Sequence, residues 1–134
     1  MSKQVKMATA DKWFSRFIRL RDADENGYCT CCTCGKVDHF KSMDAGHFVN
    51  RKHRTTRFNE RNVHAQCPYC NRYCEGNIPE YSIFMEKEYG KGIIEEMIDL
   101  KNKTIKMGAM QIQAISDEYR EKTKALSKDK NINF

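Results

Sequence analysis

Four cysteines of the 134-residue chain stand in two C-x-x-C pairs, Cys31 with Cys34 and Cys67 with Cys70. Each pair can wrap one edge of a tetrahedron, and two pairs close a four-thiolate shell around Zn2+. Gly35 follows the first pair and lets the chain turn back. Cys29 and Cys32 repeat the spacing without a following glycine, which favours Cys31 and Cys34 as the ligands. Cys74 lies one turn beyond Cys70 and reads as a packing thiol, with a substitute ligand as the alternative. A zinc with four protein ligands has no open coordination position, so its expected role is structural. The cysteines number seven, and an odd count in a chain expected to act in a reducing cytosol points to metal rather than to disulfides.

Between and just beyond the pairs lies a second group of side chains. It comprises Asp44-Ala45-Gly46-His47-Phe48-Val49-Asn50-Arg51 and the run from Arg57-Phe58-Asn59-Glu60-Arg61-Asn62-Val63-His64 through Cys67-Pro68-Tyr69-Cys70-Asn71. A histidine ending one strand, an asparagine opening the next and an asparagine directly after the second C-x-x-C resemble an HNH (ββα-metal) nuclease, here in the order His47, Asn62, Asn71. The stretch from Arg21-Asp22-Ala23-Asp24 through C-x-x-C-G, D-A-G-H-F and R-F-x-E-R-N-V-H-x-Q-C-x-x-C-N is similar to the lambdoid phage NinG (Rap) recombination endonuclease family. The motifs cover about residues 12–80.

That resemblance implies phosphodiester hydrolysis, which needs an activated water, a cation to offset charge on the transition state, and stabilisation of the departing 3′ oxygen. His47 is then the general base, since a neutral imidazole near pH 7 can take a proton from water. Asn62 holds the His47 loop through backbone hydrogen bonds. Asn71 offers an amide oxygen to a catalytic divalent cation, Mg2+ or Mn2+, which prefers such hard ligands. Many HNH sites carry a metal ligand immediately before the base, where this chain has Gly46. Asp44 is the nearest carboxylate and either reaches the cation or fixes the turn. His64 alternates with Asn62 along a strand, where a structural role is favoured and a contribution to the cation, direct or through another ligand, is the alternative. The implied substrates are branched recombination intermediates such as Holliday junctions and D-loops. The competing reading is a non-catalytic zinc-containing DNA-binding module. A zinc deaminase fits less well, because the H-x-E motif of that chemistry is absent.

Net charge is +6. Residues 1–72, which hold all four histidines and six of the cysteines, carry seven more Lys and Arg than Asp and Glu. A polyanion is therefore the first partner to consider. Arg51, Lys52, His53, Arg54, Arg57 and Arg61 gather in one loop between Asn50 and Asn62, and the guanidinium fork suits phosphate oxygens.

These groups must be positioned by short elements. Trp13, Phe14, Phe17 and Ile18 predict an amphipathic helix over 9–21, followed by a polar break, 22–27, and a metal knuckle, 28–35. One or two short strands are expected within 40–49 and another near 62–65. Cys67-Pro68 opens a short helix that Gly76-Asn77 ends. Three more helices follow Pro79. The first carries Tyr81, Phe84 and Met85 and stops at Gly90, and the second carries Ile93, Ile94, Met97 and Ile98. The third runs from Ile105 to Leu126, with a frayed tail from Ser127. The expected fold is α+β: a zinc-bound ββα-metal, treble-clef-like core with an N-terminal helix in residues 1–78, and a helical extension in 79–134. That extension could pack on the core or form a homodimer interface, since paired cuts in a four-way junction suit a two-fold dimer. Mean hydropathy is −0.80, and no apolar run approaches the roughly 20 residues of a membrane span. Met1 to Ala10 has no apolar segment of the secretory kind, so a cytoplasmic site in a bacterial host cell is expected.

Overall fold

The apolar residues at helical spacing near the start form helix α1, Met7–Asp22, which buries Ala10, Phe14, Ile18 and Leu20. The computed structural model describes residues 6–134. Positions 1–5, and with them half of the segment read as lacking a secretory signal, lie outside the described residues. Strands β1, Tyr28–Thr30, and β2, Val37–His39, pair antiparallel with Cys29 opposite Asp38, and the first C-x-x-C pair sits in the connection between them. A single helical turn at Phe40–Ser42 leads into β3, Asp44–His47. The expected strand region of 40–49 is thus part helix. Strand β3 pairs antiparallel with β4, Val63–Gln66, so that His47 faces Val63 and Gly46 faces His64 across the ladder. The basic loop between them contains a one-turn helix, α2, Arg54–Arg57.

After β4 a π-helical segment, Tyr69–Tyr73, carries Cys70 and Asn71. Helices α3, Ile78–Tyr89, α4, Ile93–Lys101, and α5, Ala109–Lys130, complete the chain. The last helix begins later than the apolar spacing predicts: Ile105 lies before it and is half exposed. It also ends later. The tail expected to fray is helical to Lys130, whose ammonium donates to the carbonyls of Leu20, Arg21 and Ala23 at 2.8, 3.0 and 2.6 Å. Those carbonyls stand where the ladder of α1 runs out, that of Leu20 also accepting from the Ala23 amide at 3.3 Å, so a cation there both completes hydrogen bonds and offsets the helix dipole.

Three apolar clusters form the core. Leu20, Cys29, Phe40, Met43 and Ala65 surround the buried thiols, with Leu126 and Ile132 packed against them. Tyr81, Met85, Ile93 and Met97 close over Val49. Phe14, Ile18 and Val63 pack with Tyr119, whose ring meets Phe14 edge-on at 4.7 Å. Every cluster combines residues from both sides of position 78. Buried residues of α3, α4 and α5 pack into these clusters. Among the described residues no helix is long and apolar enough to cross a membrane.

Candidate active site

The two C-x-x-C pairs converge. The sulfurs of Cys31, Cys34, Cys67 and Cys70 all lie within 4.8 Å of one another, with Cys34 and Cys67 3.7 Å apart. Sulfurs bound tetrahedrally at a Zn–S distance of about 2.3 Å stand about 3.8 Å apart, so the cluster has the size and chemistry to hold zinc. Gly35, at φ +84°, turns the chain after the first pair, and its amide donates to the Cys31 carbonyl at 3.0 Å. The alternative pair is excluded by position: the Cys29 thiol lies against the Arg19 carbonyl at 3.2 Å, and Cys32 packs toward Tyr81 and Val49. Cys74 also lies outside the cluster.

A cavity of about 750 Å3 opens beside this cluster, and Asp44, His47 and Asn71 all line it. The Asn71 amide nitrogen donates to Asp44 Oδ2 at 2.9 Å, and Arg72 lays its fork on the same carboxylate through two 2.9 Å hydrogen bonds. His47 Nε2 lies 2.9 Å from the Arg57 carbonyl oxygen. A carbonyl only accepts, so Nε2 carries the proton and Nδ1 is the nitrogen left to take another. Burial holds the His47 pKa below its ordinary 6.5, assisted by the charge of Arg51 and opposed by the carbonyls of Arg57 and Ala45. The imidazole is therefore neutral at physiological pH.

Asn62 is fully buried and does not enter the cavity. Its Oδ1 accepts from the Val49 amide at 2.9 Å, while Nδ2 donates to the carbonyls of Val49 and Thr56 at 3.0 and 3.1 Å. One side chain thus closes the loop whose Arg57 carbonyl orients His47. The R-D-A-D stretch at the end of α1 acts on β4: Asp22 accepts from the Ala65 amide at 2.8 Å, and Arg21 donates to the carbonyls of Glu60 and Val63, each at 2.8 Å.

His64 lies away from this cavity. It lines a separate cavity, and both ring nitrogens are engaged, Nδ1 by the Tyr81 hydroxyl at 3.2 Å and Nε2 by the Tyr89 hydroxyl at 2.7 Å. Tyr81 donates its own proton to the Gly46 carbonyl at 2.6 Å. It follows that His64 donates from Nδ1 to Tyr81 and accepts at Nε2 from Tyr89, a relay that braces the backbone next to His47 and leaves no lone pair for a cation. Alternation misleads here because both faces of β4 are covered, by α1 on one side and α3 on the other. Gly46 is explained by the same strand pair: a Cβ there would stand 2.0 Å from Gln66 Oε1 and 2.8 Å from Gln66 Cβ, so a ligand-bearing residue has no room.

The relay has a measurable consequence. Burial, with the Arg21 charge beside it, takes the His64 pKa down to about 4 from 6.5. Above pH 6.5 the imidazole is neutral in folded and unfolded chains alike. Below it the unfolded chain binds the proton first, so stability falls as pH drops from 6.5 to about 4, by about 3 kcal/mol from this group. Denaturant unfolding across that range should show a shallower pH slope in His64→Gln than in the wild type. Equal slopes would contradict the relay.

The basic loop divides. Arg57 turns inward, donating to both Asp11 oxygens and, at 3.0 Å, to the Arg51 carbonyl, and Arg61 pairs with Glu96. His53 precedes α2 and is half-buried, whereas Lys52 and Arg54 are exposed and lie outside the cavity. Of the six, Arg51 alone lines it, 3.7 Å from Asp11. Three cations that the sequence alone did not single out join it there: Arg19 from α1, Lys41 from the turn before β3, and Arg72. Their distance along the chain hid them.

The fold and site define a small α+β protein in which a four-thiol, zinc-competent cluster abuts a cleft of aspartate, histidine and asparagine rimmed by basic side chains. A family profile described as "Bacteriophage Lambda NinG protein" matches residues 2–129. The chain belongs to the NinG family. Proteins named "Protein ninG" from Salmonella phage P22 and Escherichia phage lambda are each 33% identical to it over 123 residues, covering 87% of this chain and 55% of theirs. That of Escherichia phage 933W is 32% identical over 123 residues. The chain spans about half the length of these relatives. No solved structure matches it.

Proposed function

We propose that this chain is a metal-dependent endonuclease of the HNH type, acting in the bacterial host cell on branched DNA recombination intermediates such as Holliday junctions and D-loops. The observation that carries the reading is the meeting of Asp44, His47 and Asn71 in one cavity next to the zinc-competent cluster. His47 Nδ1 takes a proton from water, and the oxygen so activated attacks phosphorus. The bond to the 3′ oxygen breaks and that oxygen takes a proton from solvent water, leaving a 3′-hydroxyl and a 5′-phosphate. Asp44 and Asn71 present a carboxylate and an amide oxygen, a hard donor set that suits Mg2+ or Mn2+. Such a cation supplies Lewis-acid stabilisation of the phosphoryl and leaving oxygens. Asn62 is a positioning residue, acting through the loop that holds His47. Preference for branched substrates rests on the family resemblance.

One observation favours the alternative of a non-catalytic zinc-containing DNA-binding module. Arg72 already satisfies the Asp44 carboxylate, so the pair can stand as an ordinary ion pair without a cation. Cleavage assays on His47 variants separate the two readings.

DNA binding should depend on the rim rather than on the whole basic loop. Lys41→Ala/Arg51→Ala should reduce the slope of log K against log salt by about 0.9 for each phosphate no longer neutralised. Arg57→Ala should instead leave Asp11 without its main partner and cost about 1–3 kcal/mol of stability. Titrations by fluorescence anisotropy at several salt concentrations check this. An unchanged slope in the rim variant would remove the cleft as the DNA-binding surface.

A further inference from the structure

Tyr69 and Tyr73 flank Asn71 and Arg72 on the π-helical segment, and both are strongly exposed, 66% and 81%. Neither ring belongs to an apolar cluster of the core. The rings stack on one another, centroids 6.0 Å apart and planes inclined by 29°. The two rings are carried by the same short segment that contributes Asn71 and Arg72 to the cleft, and neither ring lines the cleft itself. Packing accounts for none of this.

We propose that Tyr69 and Tyr73 form a stacking platform for an unpaired nucleobase of DNA held in the cleft. The inference rests on the reading of that cleft as a DNA site and adds a source of substrate preference. The cations of the rim meet phosphates, which every DNA presents alike, and so cannot distinguish a branch from a duplex. Bases within a continuous duplex are covered on both faces by their neighbours. At a branch, gap or single-stranded arm a base face is free, and a tyrosine ring can cover it. Base-on-aromatic stacking is sequence-tolerant and changes affinity by roughly 5- to 150-fold per base. A tyrosine suits the task because its ring binds the base while its hydroxyl keeps the free surface wetted. Arg72, between the two rings in sequence, supplies charge for the adjoining phosphate.

The test uses the full zinc-loaded chain without added divalent cation, so that DNA stays uncut. Anisotropy measures binding to oligo-dT, to a duplex with a short single-stranded gap and to an uninterrupted duplex. Tyr69→Ala/Tyr73→Ala should weaken binding about tenfold or more on the first two and less than twofold on the third. Tyr69→Phe/Tyr73→Phe should bind like the wild type, because the ring face and not the hydroxyl meets the base. An equal weakening on all three DNAs, none on any, or a matching effect in the phenylalanine variant would overturn the platform. So would failure of the wild-type chain to bind oligo-dT. Wild-type binding or cutting of duplex alongside any of these results would leave the nuclease reading standing, which keeps the two failures distinct.

Discussion

Replacing Cys67 and Cys70 with serine is expected to yield a chain that holds no zinc and does not fold. Three of the four thiols, those of Cys31, Cys67 and Cys70, stand among Leu20, Phe40, Met43 and Ala65, Cys34 is exposed, and the four together join the β1–β2 hairpin to the segment that carries Asn71. Binding of a structural zinc to small domains contributes roughly 10–16 kcal/mol, comparable with or larger than the about 5–15 kcal/mol by which a whole domain is stable. A single hydrogen bond or surface ion pair contributes only about 0–1.5 kcal/mol. Elemental analysis of the purified wild type should show about one zinc per chain. The double variant should lack the cooperative melt seen by circular dichroism. A wild type that is folded without zinc, or a variant that melts like it, would contradict the zinc-held core.

His47→Ala is expected to separate binding from chemistry. The side chain is half-buried and is held by backbone carbonyls alone, chiefly that of Arg57, so its removal should leave fold, zinc content and DNA affinity near wild type. Cleavage should fall by the roughly 10²- to 10⁴-fold typical of a general base. Asn71→Ala should also cut slowly, with part of the activity recovered at raised Mn2+, because mass action refills a weakened cation site. Asn62→Ala should behave differently from both. Removing its three hydrogen bonds from a fully buried place should lower stability along with cleavage. The acid limb of the wild-type rate profile should lie below pH 6.5, since burial of His47 favours its neutral form. A His47→Ala protein that cuts as fast as wild type would reassign the base.

The thiol cluster was legible because its signal is local: the spacing of each pair and the glycine after the first are read from a few consecutive residues. The grouping of His47 and Asn71 was suggested by the resemblance to HNH nucleases rather than by any local spacing, and Asp44 stood between reaching a cation and fixing the turn. What escaped depends on contacts far apart in the chain. Arg57 reads as a free cation until Asp11, 46 residues earlier, takes it inward. Lys130 reads as part of a frayed tail until three carbonyls more than a hundred residues away accept its ammonium. His64 reads as a partner of Asn62 because alternation assumes a strand with one wet face, and β4 has none. The cleft rim draws Arg19, Lys41 and Arg72 from three separate elements, so no run of sequence displays it.

Hydrolysis of branched DNA by this cleft is tested most directly with an end-labelled four-way junction, incubated with protein freed of hard cations and shown by elemental analysis to retain its zinc. The junction should be bound but intact without added metal, and cut when Mg2+ or Mn2+ is supplied. A junction that stays whole across titrations of both cations, while the zinc-loaded protein remains bound to it, would contradict the nuclease and leave a zinc-containing DNA-binding module.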